Sequence, residues 1–464
     1  MTSESSIELS CLTLDEMAAI IESQRETIGD LRELVTQLQK RISSLEEQLG
    51  LGGPPKSGGK RVPQIKANKP VQGEKSKRKK RDLHFCRKRE IPTWIVEHKP
   101  SACPDCGRIL KGGGPKTSRQ VIDIKFTPVE VTEHILHSCY CGVCKKRVVA
   151  NPDLSAEVSG NRRFGHNLTS LIAMLRTEAR LPIRSIKTLL QRMHGLRISE
   201  GAITNLLNEV AAAGSSQMDE FRDQARSAQV LHADESSWRE NGQNGYTWLL
   251  STPNTRVFEY DRHRSYEVAQ RIIGLFTGTL VTDFYYTYNQ IASRHQRCWV
   301  HFLRDLHDLR EGANEAENRW IDDVIALWQE GVDYQAYCLT KPLFGASLFE
   351  RKRKRGDLEE RIYELAEPYL DKDPKVCKPA TLSKRIAMFL SELFTFVEYP
   401  EVPHHNNSAE RAIRPVVIAR KISGGTRSAK GTATRMTLMS LFSTWKLRGI
   451  DPIARCRQLL IASP

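Results

Sequence analysis

The sequence contains no apolar run approaching the roughly 20 residues of a membrane-spanning helix. Its polar, acidic start has none of the marks of a secretory signal. A lipidation motif and an amphipathic basic helix are missing too, so no membrane partner is expected. Acidic residues are in short supply: 55 Asp and Glu face 70 Lys and Arg, a formal net charge of +15. That imbalance asks for a polyanionic partner, and nucleic acid is the natural one. Eleven cysteines make an odd count in a long chain without a signal, which argues for a reduced, cytoplasmic setting rather than a disulfide framework. At 464 residues the chain should fold as two to four units.

Residues 13–50 carry a heptad pattern. Leu14, Ile21, Ile28, Val35, Ile42 and Leu49 occupy one seam position, and Met17, Gln24, Leu31, Leu38 and Leu45 the other. β-Branched residues at the first position and Leu at the second favour a parallel two-stranded coiled coil, hence a homodimer or a higher oligomer. An amphipathic helix packed on its own chain is the alternative. Residues 51–92 read as a disordered linker, Gly- and Pro-rich at first, with a cationic run over Lys77, Arg78, Lys79, Lys80 and Arg81. Such a stretch buries too little apolar area to offset its ordering entropy, and its charges suit phosphates without reading sequence.

Five of the eleven cysteines fall between 103 and 144. Cys103 and Cys106 form one CxxC pair, Cys141 and Cys144 a second, each with a Gly at its turn. This spacing predicts a structural Zn²⁺ held by four thiolates in a zinc-ribbon-like module over 93–155. Cys139 and His137 stand close enough to compete for the fourth position. Four thiolates leave no open coordination position, so a catalytic zinc is not expected. Residues 160–225 read as a helical DNA-binding segment. After a turn at Gly195, S-E-G-A-I-T-N-L-L has the cap and spacing of the second helix of a helix-turn-helix, or of a plain packing helix.

From about residue 228 the period shortens. V-L-H-A-D, G-Y-T-W-L-L-S and R-V-F-E-Y-D read as a strand meander. A helix, the strand G-T-L-V-T-D and a strand running into a helix at R-C-W-V-H follow. The stretch 305–400 reads as a charged helical insertion, its R-K-R-K-R run at 351–355 available to phosphates. Three acids stand at the edges of these elements. Asp234 falls where the first strand should end, Asp283 closes an apolar strand, and Glu410 lies in the first turn of a late helix. Carboxylates from three elements are what a site for two divalent cations needs, and such a pair can hold both oxygens of a phosphodiester displacement. Each acid alone has a plainer reading as a turn, cap or helix-dipole residue. Glu235 rivals Asp234, but strand alternation points it to the other face. Arg411 and Arg414 follow Glu410 at helical spacing and suit phosphates, surface ion pairing being the alternative. His232 and His301 border the site as packing or orienting residues.

R-L-P-I-R (180–184), H-A-D-E-S (232–236), C-W-V-H (298–301) and N-N-S-A-E-R-A-I-R-P (406–415), in this order along the chain, resemble the IS66-family transposases. The resemblance implies a multidomain α+β chain: coiled coil, zinc-ribbon-like module, helical segment, then a ribonuclease-H-like α/β catalytic core over 226–425 with its helical insertion, and a C-terminal helical tail over 426–464. It implies that Asp234, Asp283 and Glu410 are the catalytic DDE acids and hold two Mg²⁺ ions, with Mn²⁺ able to substitute. It further implies a transposase that binds terminal inverted repeats, cleaves DNA ends and transfers strands to target DNA, alongside small accessory proteins of the same element. Ser236-Ser237 stands where the family often has Thr-Pro, and K-I-S-G-G-T-R after Arg420 departs from an apolar continuation. A zinc-containing DNA-binding regulator and a metal-dependent nuclease that cuts without joining are the rival readings.

Overall fold

The computed structural model describes residue 89 and residues 91–111, 118–122, 128–340 and 346–463. The heptad segment 13–50, the basic run 77–81 and nearly all of the linker lie outside them. The described residues fall into two compact units divided after Val121. In the first, the chain folds back at Cys103–Cys106. The Gly107 N–H reaches the Cys103 carbonyl, and the Cys103 N–H that of Arg108, both at 2.9 Å. The second unit opens with a hairpin of β1 (Ser138–Cys141) and β2 (Lys146–Val149), Cys141 lying opposite Lys146.

Four helices come next: α1 (His166–Thr177), α2 (Ile183–His194), α3 (Glu200–Ala213) and α4 (Ser215–Arg226). The sheet consists of β3 (Val230–Glu240), β4 (Gln243–Ser251), β5 (Arg256–Asp261), β6 (Thr279–Thr282) and β7 (Arg294–Arg297), in the order β5-β4-β3-β6-β7. β3, β4 and β5 are antiparallel neighbours, whereas β6 runs parallel to both β3 and β7. Helix α5 (Tyr266–Ile273) connects β5 to β6. After β7 the chain enters the insertion: α6 (Trp299–Leu309), α7 (Glu315–Thr340), α8 (Leu348–Ala366), α9 (Pro379–Met388), and the short α10 (Leu390–Leu393) and α11 (Thr395–Glu398). It returns with α12 (Asn407–Ser423), α13 (Ala429–Leu447) and α14 (Pro452–Ile461). The fold is mixed α/β with a mixed sheet. No helix among the described residues is long and apolar enough to cross a membrane.

The sheet is covered on both faces. Leu231, Ala233, Trp248, Leu250, Val257 and Leu280 pack with α1–α5, α13 and α14 in the largest core. On the other side Trp238, Leu249 and Phe258 meet Ala409, Ala412, Ile413, Val416 and Ala419 of α12. The insertion has its own core, in which Trp299, Phe302, Trp320, Ile362 and Phe394 are all buried.

Three expectations need correction. First, β3 does not end at the acid pair but continues to Glu240. Asn241 (φ 49°) and Gly242 (φ 76°) form a two-residue turn that puts Glu240 opposite Gln243. Left-handed conformations at both turn positions match the twist of a hairpin, and Asn-Gly is the pair that adopts them most readily. Second, the last two helices are no tail: Leu438, Leu441, Phe442 and Trp445 of α13 and Cys456, Leu459 and Leu460 of α14 belong to the main core. Third, the 351–355 run is partly consumed within the insertion. Lys354 pairs with Glu330 and Asp357, and Arg355 with Glu359 and Glu398. The turn at Gly195 (φ 67°) and the Ser199 cap of α3 are present as expected, and α3 carries no Lys or Arg and buries Ile203, Leu206, Leu207 and Val210. The exposed cations of this helix pair are on α2, at Arg184, Lys187 and Arg192.

Candidate active site

Strand register brings the first two acids together. Along the parallel pair β3–β6, Val230 lies opposite Thr279, Leu231 opposite Leu280 and His232 opposite Val281. Two residues further on, the same register reaches Asp234 and Asp283. Neighbouring strands are about 4.8 Å apart, and side chains in phase point to the same face. The two carboxylates therefore emerge side by side where β6 has ended. Each is oriented by a backbone donor: the Glu235 N–H reaches Asp234 Oδ1 at 2.8 Å, and the Tyr285 N–H reaches Asp283 Oδ1 at 2.9 Å.

Glu410 joins from the first turn of α12. The start of this helix is tied to the sheet by Asn406, which sits at the N-cap position yet does not cap. Its side-chain amide instead donates to the Ala233 carbonyl at 2.8 Å, and its Oδ1 accepts from His232 Nδ1–H at 2.9 Å. Its backbone N–H reaches Cys298 Sγ at 3.2 Å, while the Trp299 N–H donates to the His404 carbonyl at 2.9 Å. Burial pushes His232 down to about 4, so the ring is neutral at pH 7 and serves as an orienting group.

The charges of Asp283 and Glu410 both reach the Asp234 carboxyl, while among the described residues the donor atoms that lie within 4.8 Å of one another are those of Cys298, His301 and Glu410. The Asp234 carboxyl is pushed up to about 8, first by burial and then by the charges of Glu235, Asp283 and Glu410. Like charges gathered in a half-buried cleft are destabilising alone and are relieved by a cation. Glu410 Oε1 is buried without a hydrogen-bond partner, as is His301 Nδ1, 3.6 Å away. The donor set is hard oxygen in a site lined with acids, and it fits divalent cations.

Glu235 has other work. Its carboxylate is 2% exposed and engaged by Arg264 and by the Tyr288 hydroxyl. Burial holds its pKa above the usual carboxylate range despite Arg264. The Arg264 guanidinium sits over the Tyr285 ring, 3.5 Å from its centroid, and the Tyr285 hydroxyl donates to the Arg264 carbonyl at 3.1 Å, which ties the Y-Y-T-Y run after Asp283 to Arg264 and Glu235.

Sequence reasoning missed Arg264, Tyr288 and, above all, Arg297. This β7 residue is fully buried and ion-paired with Glu392. It donates to the Asp283 carbonyl at 3.0 Å, to Thr282 Oγ1 at 3.2 Å and to Asn289 Oδ1 at 2.9 Å. It holds the turn that presents Asp283. The only sequence signal was its place one residue before C-W-V-H.

Arg411 and Arg414 are exposed and make no ion pair with any described residue. Of the cysteine pairs, Cys103–Cys106 falls in the first unit and Cys141–Cys144 in the second. In each, turn N–H groups face the first thiol and hold its pKa down: those of Asp105 and Cys106 for Cys103, and those of Cys144 and Val143 for Cys141. The run Lys77–Arg81 lies outside the described residues.

A family model described as the transposase IS66 family matches residues 161–434, a span that contains all three acids. The uncharacterized protein y4qI of Sinorhizobium fredii is 26% identical over 223 residues, covering 45% of this chain and 40% of that protein. From the same organism, the uncharacterized y4jO is 33% identical over 160 residues, 34% of this chain and 46% of its own length. Another, y4jD, is 22% identical over 390 residues, 78% of this chain and 74% of its own. The matches thus span under half the length of the first two relatives.

Proposed function

The chain belongs to the IS66 transposase family, and from that premise we propose that it is the DNA-cleaving and DNA-joining transposase of an insertion sequence. It binds the element's terminal inverted repeats, frees 3′-hydroxyls and transfers them to target DNA. The observation that carries this reading is the register that sets Asp234 and Asp283 side by side at the first and fourth strands of the sheet, with Glu410 in the first turn of a late helix near enough for its charge to act on Asp234. That placement supports a ribonuclease-H-like core.

Asp234, Asp283 and Glu410 would hold two divalent cations, Mg²⁺ with Mn²⁺ as a substitute. When bound, such ions lower the pKa of an attacking water or hydroxyl and neutralise charge on the leaving oxygen. The protein's own groups do the positioning. Arg297 and the Tyr285 N–H fix Asp283, the Glu235 N–H turns Asp234 into the cleft, and Asn406 sets the depth of Glu410. Arg411 and Arg414 stand exposed one and four residues beyond Glu410, placed to take DNA phosphates. We assign Zn²⁺ to the CxxC thiols, dimerisation to the heptads of 13–50 and salt-dependent DNA affinity to Lys77–Arg81, as their sequences indicate. Accessory proteins of the same element are further partners.

The test uses purified protein, uncut and precut DNA carrying the terminal repeat, and a supercoiled target plasmid. Joined product in Mg²⁺ and none in EDTA is the expected result. Tight end binding without cleavage or joining, even with accessory proteins supplied, would mark a regulator. Cleavage of uncut ends without joining would mark a nuclease.

A further inference from the structure

We propose that His301 is a ligand of the same cation as Glu410, which makes this end of the site a mixed nitrogen and oxygen donor set that favours a first-row transition ion such as Mn²⁺ over Mg²⁺. The inference rests on the reading of the three acids as a cation site and adds a fourth protein ligand to it. His301 is the third residue of α6, and Glu410 the fourth of α12. These two helix starts are locked side by side by the Trp299 to His404 and Asn406 to Cys298 hydrogen bonds.

Within that frame, His301 Nδ1 and Glu410 Oε1 face each other at 3.6 Å. Both atoms are shielded from solvent and neither has a hydrogen-bond partner. Buried polar atoms are rarely left unmatched, and one unmatched atom facing another calls for something between them. At 3.6 Å the pair is too far apart for a normal hydrogen bond. Two ligands bound at about 2.1 Å and subtending 90–120° at one ion would lie about 3.0–3.6 Å apart. Cys298 Sγ belongs to the same group of donor atoms, all within 4.8 Å of one another. Its sulfur accepts the Asn406 N–H and sets the spacing of the two helices, and a soft sulfur donor is poorly matched to Mg²⁺ or Mn²⁺.

The chemistry of the donor decides the ion. Mg²⁺ binds oxygen almost to the exclusion of other donors and gives up water reluctantly, whereas imidazole is a good ligand for first-row transition ions. A site with one imidazole keeps Mg²⁺ as a weaker occupant and gains affinity for Mn²⁺.

Mn²⁺ titrated into the full-length protein, followed by pulsed EPR, reads the ligand directly. Nitrogen hyperfine coupling is expected in the parent and in His405→Ala, which has a neighbouring ring outside this pair. In His301→Ala it is expected to vanish, with Mn²⁺ affinity falling about tenfold or more and Mg²⁺ affinity changing less. Circular dichroism melting checks that each variant folds, and His301→Gln serves as a second variant with a side chain that retains polarity. Coupling that survives in His301→Ala overturns the proposal. So does its absence from a parent whose Mn²⁺ binding is weakened by Asp234→Asn, and in that case the acid site itself stands. Mn²⁺ binding that ignores Asp234→Asn, or no binding at all, overturns the acid site and this ligand with it.

Discussion

The acid site and the cysteine-bearing turns are built in opposite ways. The three acids come from residues far apart in sequence, and buried polar contacts fix them: Asn406 to Ala233, His232 to Asn406, Arg297 to the Asp283 carbonyl. Around them stands a core of side chains that are wholly buried. The cysteine turns are local, each closed within six residues, and their apolar neighbours are open to solvent. Val143 is 92% exposed, and Ile109 is 75%. A site carried by the core keeps its shape before any ion arrives. Turns with so little burial would gain their stability from a bound metal, as the zinc reading of them requires.

Breaking the core-borne side should cost most. Arg297→Ala strands Glu392 and frees the Asp283 turn, and losing one partner of a buried ion pair costs about 3–5 kcal/mol. Chemical denaturation should register that loss, and DNA joining should fall with it. A denaturation midpoint close to the parent's would show that Asp283 is held by something else.

Next in size is the charge on Asp234. Its folded pKa, about 8, lies above the unfolded value near 3.8. The folded protein therefore binds the extra proton, and this contribution to stability is complete below the unfolded value. It is lost as pH rises through about 8, an effect on the order of a few kcal/mol. A divalent cation replaces the proton, so Mg²⁺ or Mn²⁺ should raise the melting temperature more at pH 8.5 than at pH 6. Equal stabilisation at both would place the ion elsewhere.

The local side responds differently. Cys103→Ser or Cys141→Ser should each remove the bound zinc equivalent, measured by metal analysis. The main melting transition should shift by no more than about 0.5 kcal/mol, as for changes outside a core. A large shift would dissolve the contrast between the two regions. Smallest of all, Arg414→Ala should lower the slope of log affinity for DNA against log salt by about 1, with joining at low salt preserved. An unchanged slope would place the phosphates on other side chains.

This contrast also explains what could be read from the sequence. Strands were legible from their alternation, and the acids from their place beside apolar runs. The extent of β3 is less legible in its apolar run, which ends near the acid pair, than in the Asn241–Gly242 pair, a strong local turn signal that closes the strand at Glu240. Helix α13 reads as a tail because its apolar residues occur on all sides, which only a helix enclosed on several faces can use. Arg435 on that helix is buried, and its donor to the Arg176 carbonyl is set by tertiary neighbours alone. Arg297, Arg264 and Tyr288 were invisible for the same reason, since each acts through partners tens of residues away. The basic run at 351–355 looked like a phosphate surface until Glu330, Glu359 and Glu398 met it.

We assign Asp234, Asp283 and Glu410 to one cation-dependent catalytic site. That role is tested most directly by comparing strand joining in the parent with that in Asp234→Asn, Asp283→Asn and Glu410→Gln, under conditions where all four proteins bind the terminal repeat equally. These isosteric changes keep shape and remove charge, so the account predicts Mg²⁺- or Mn²⁺-dependent joining in the parent and a loss of at least about 100-fold in each variant. A variant that binds the ends and joins them as well as the parent would contradict it.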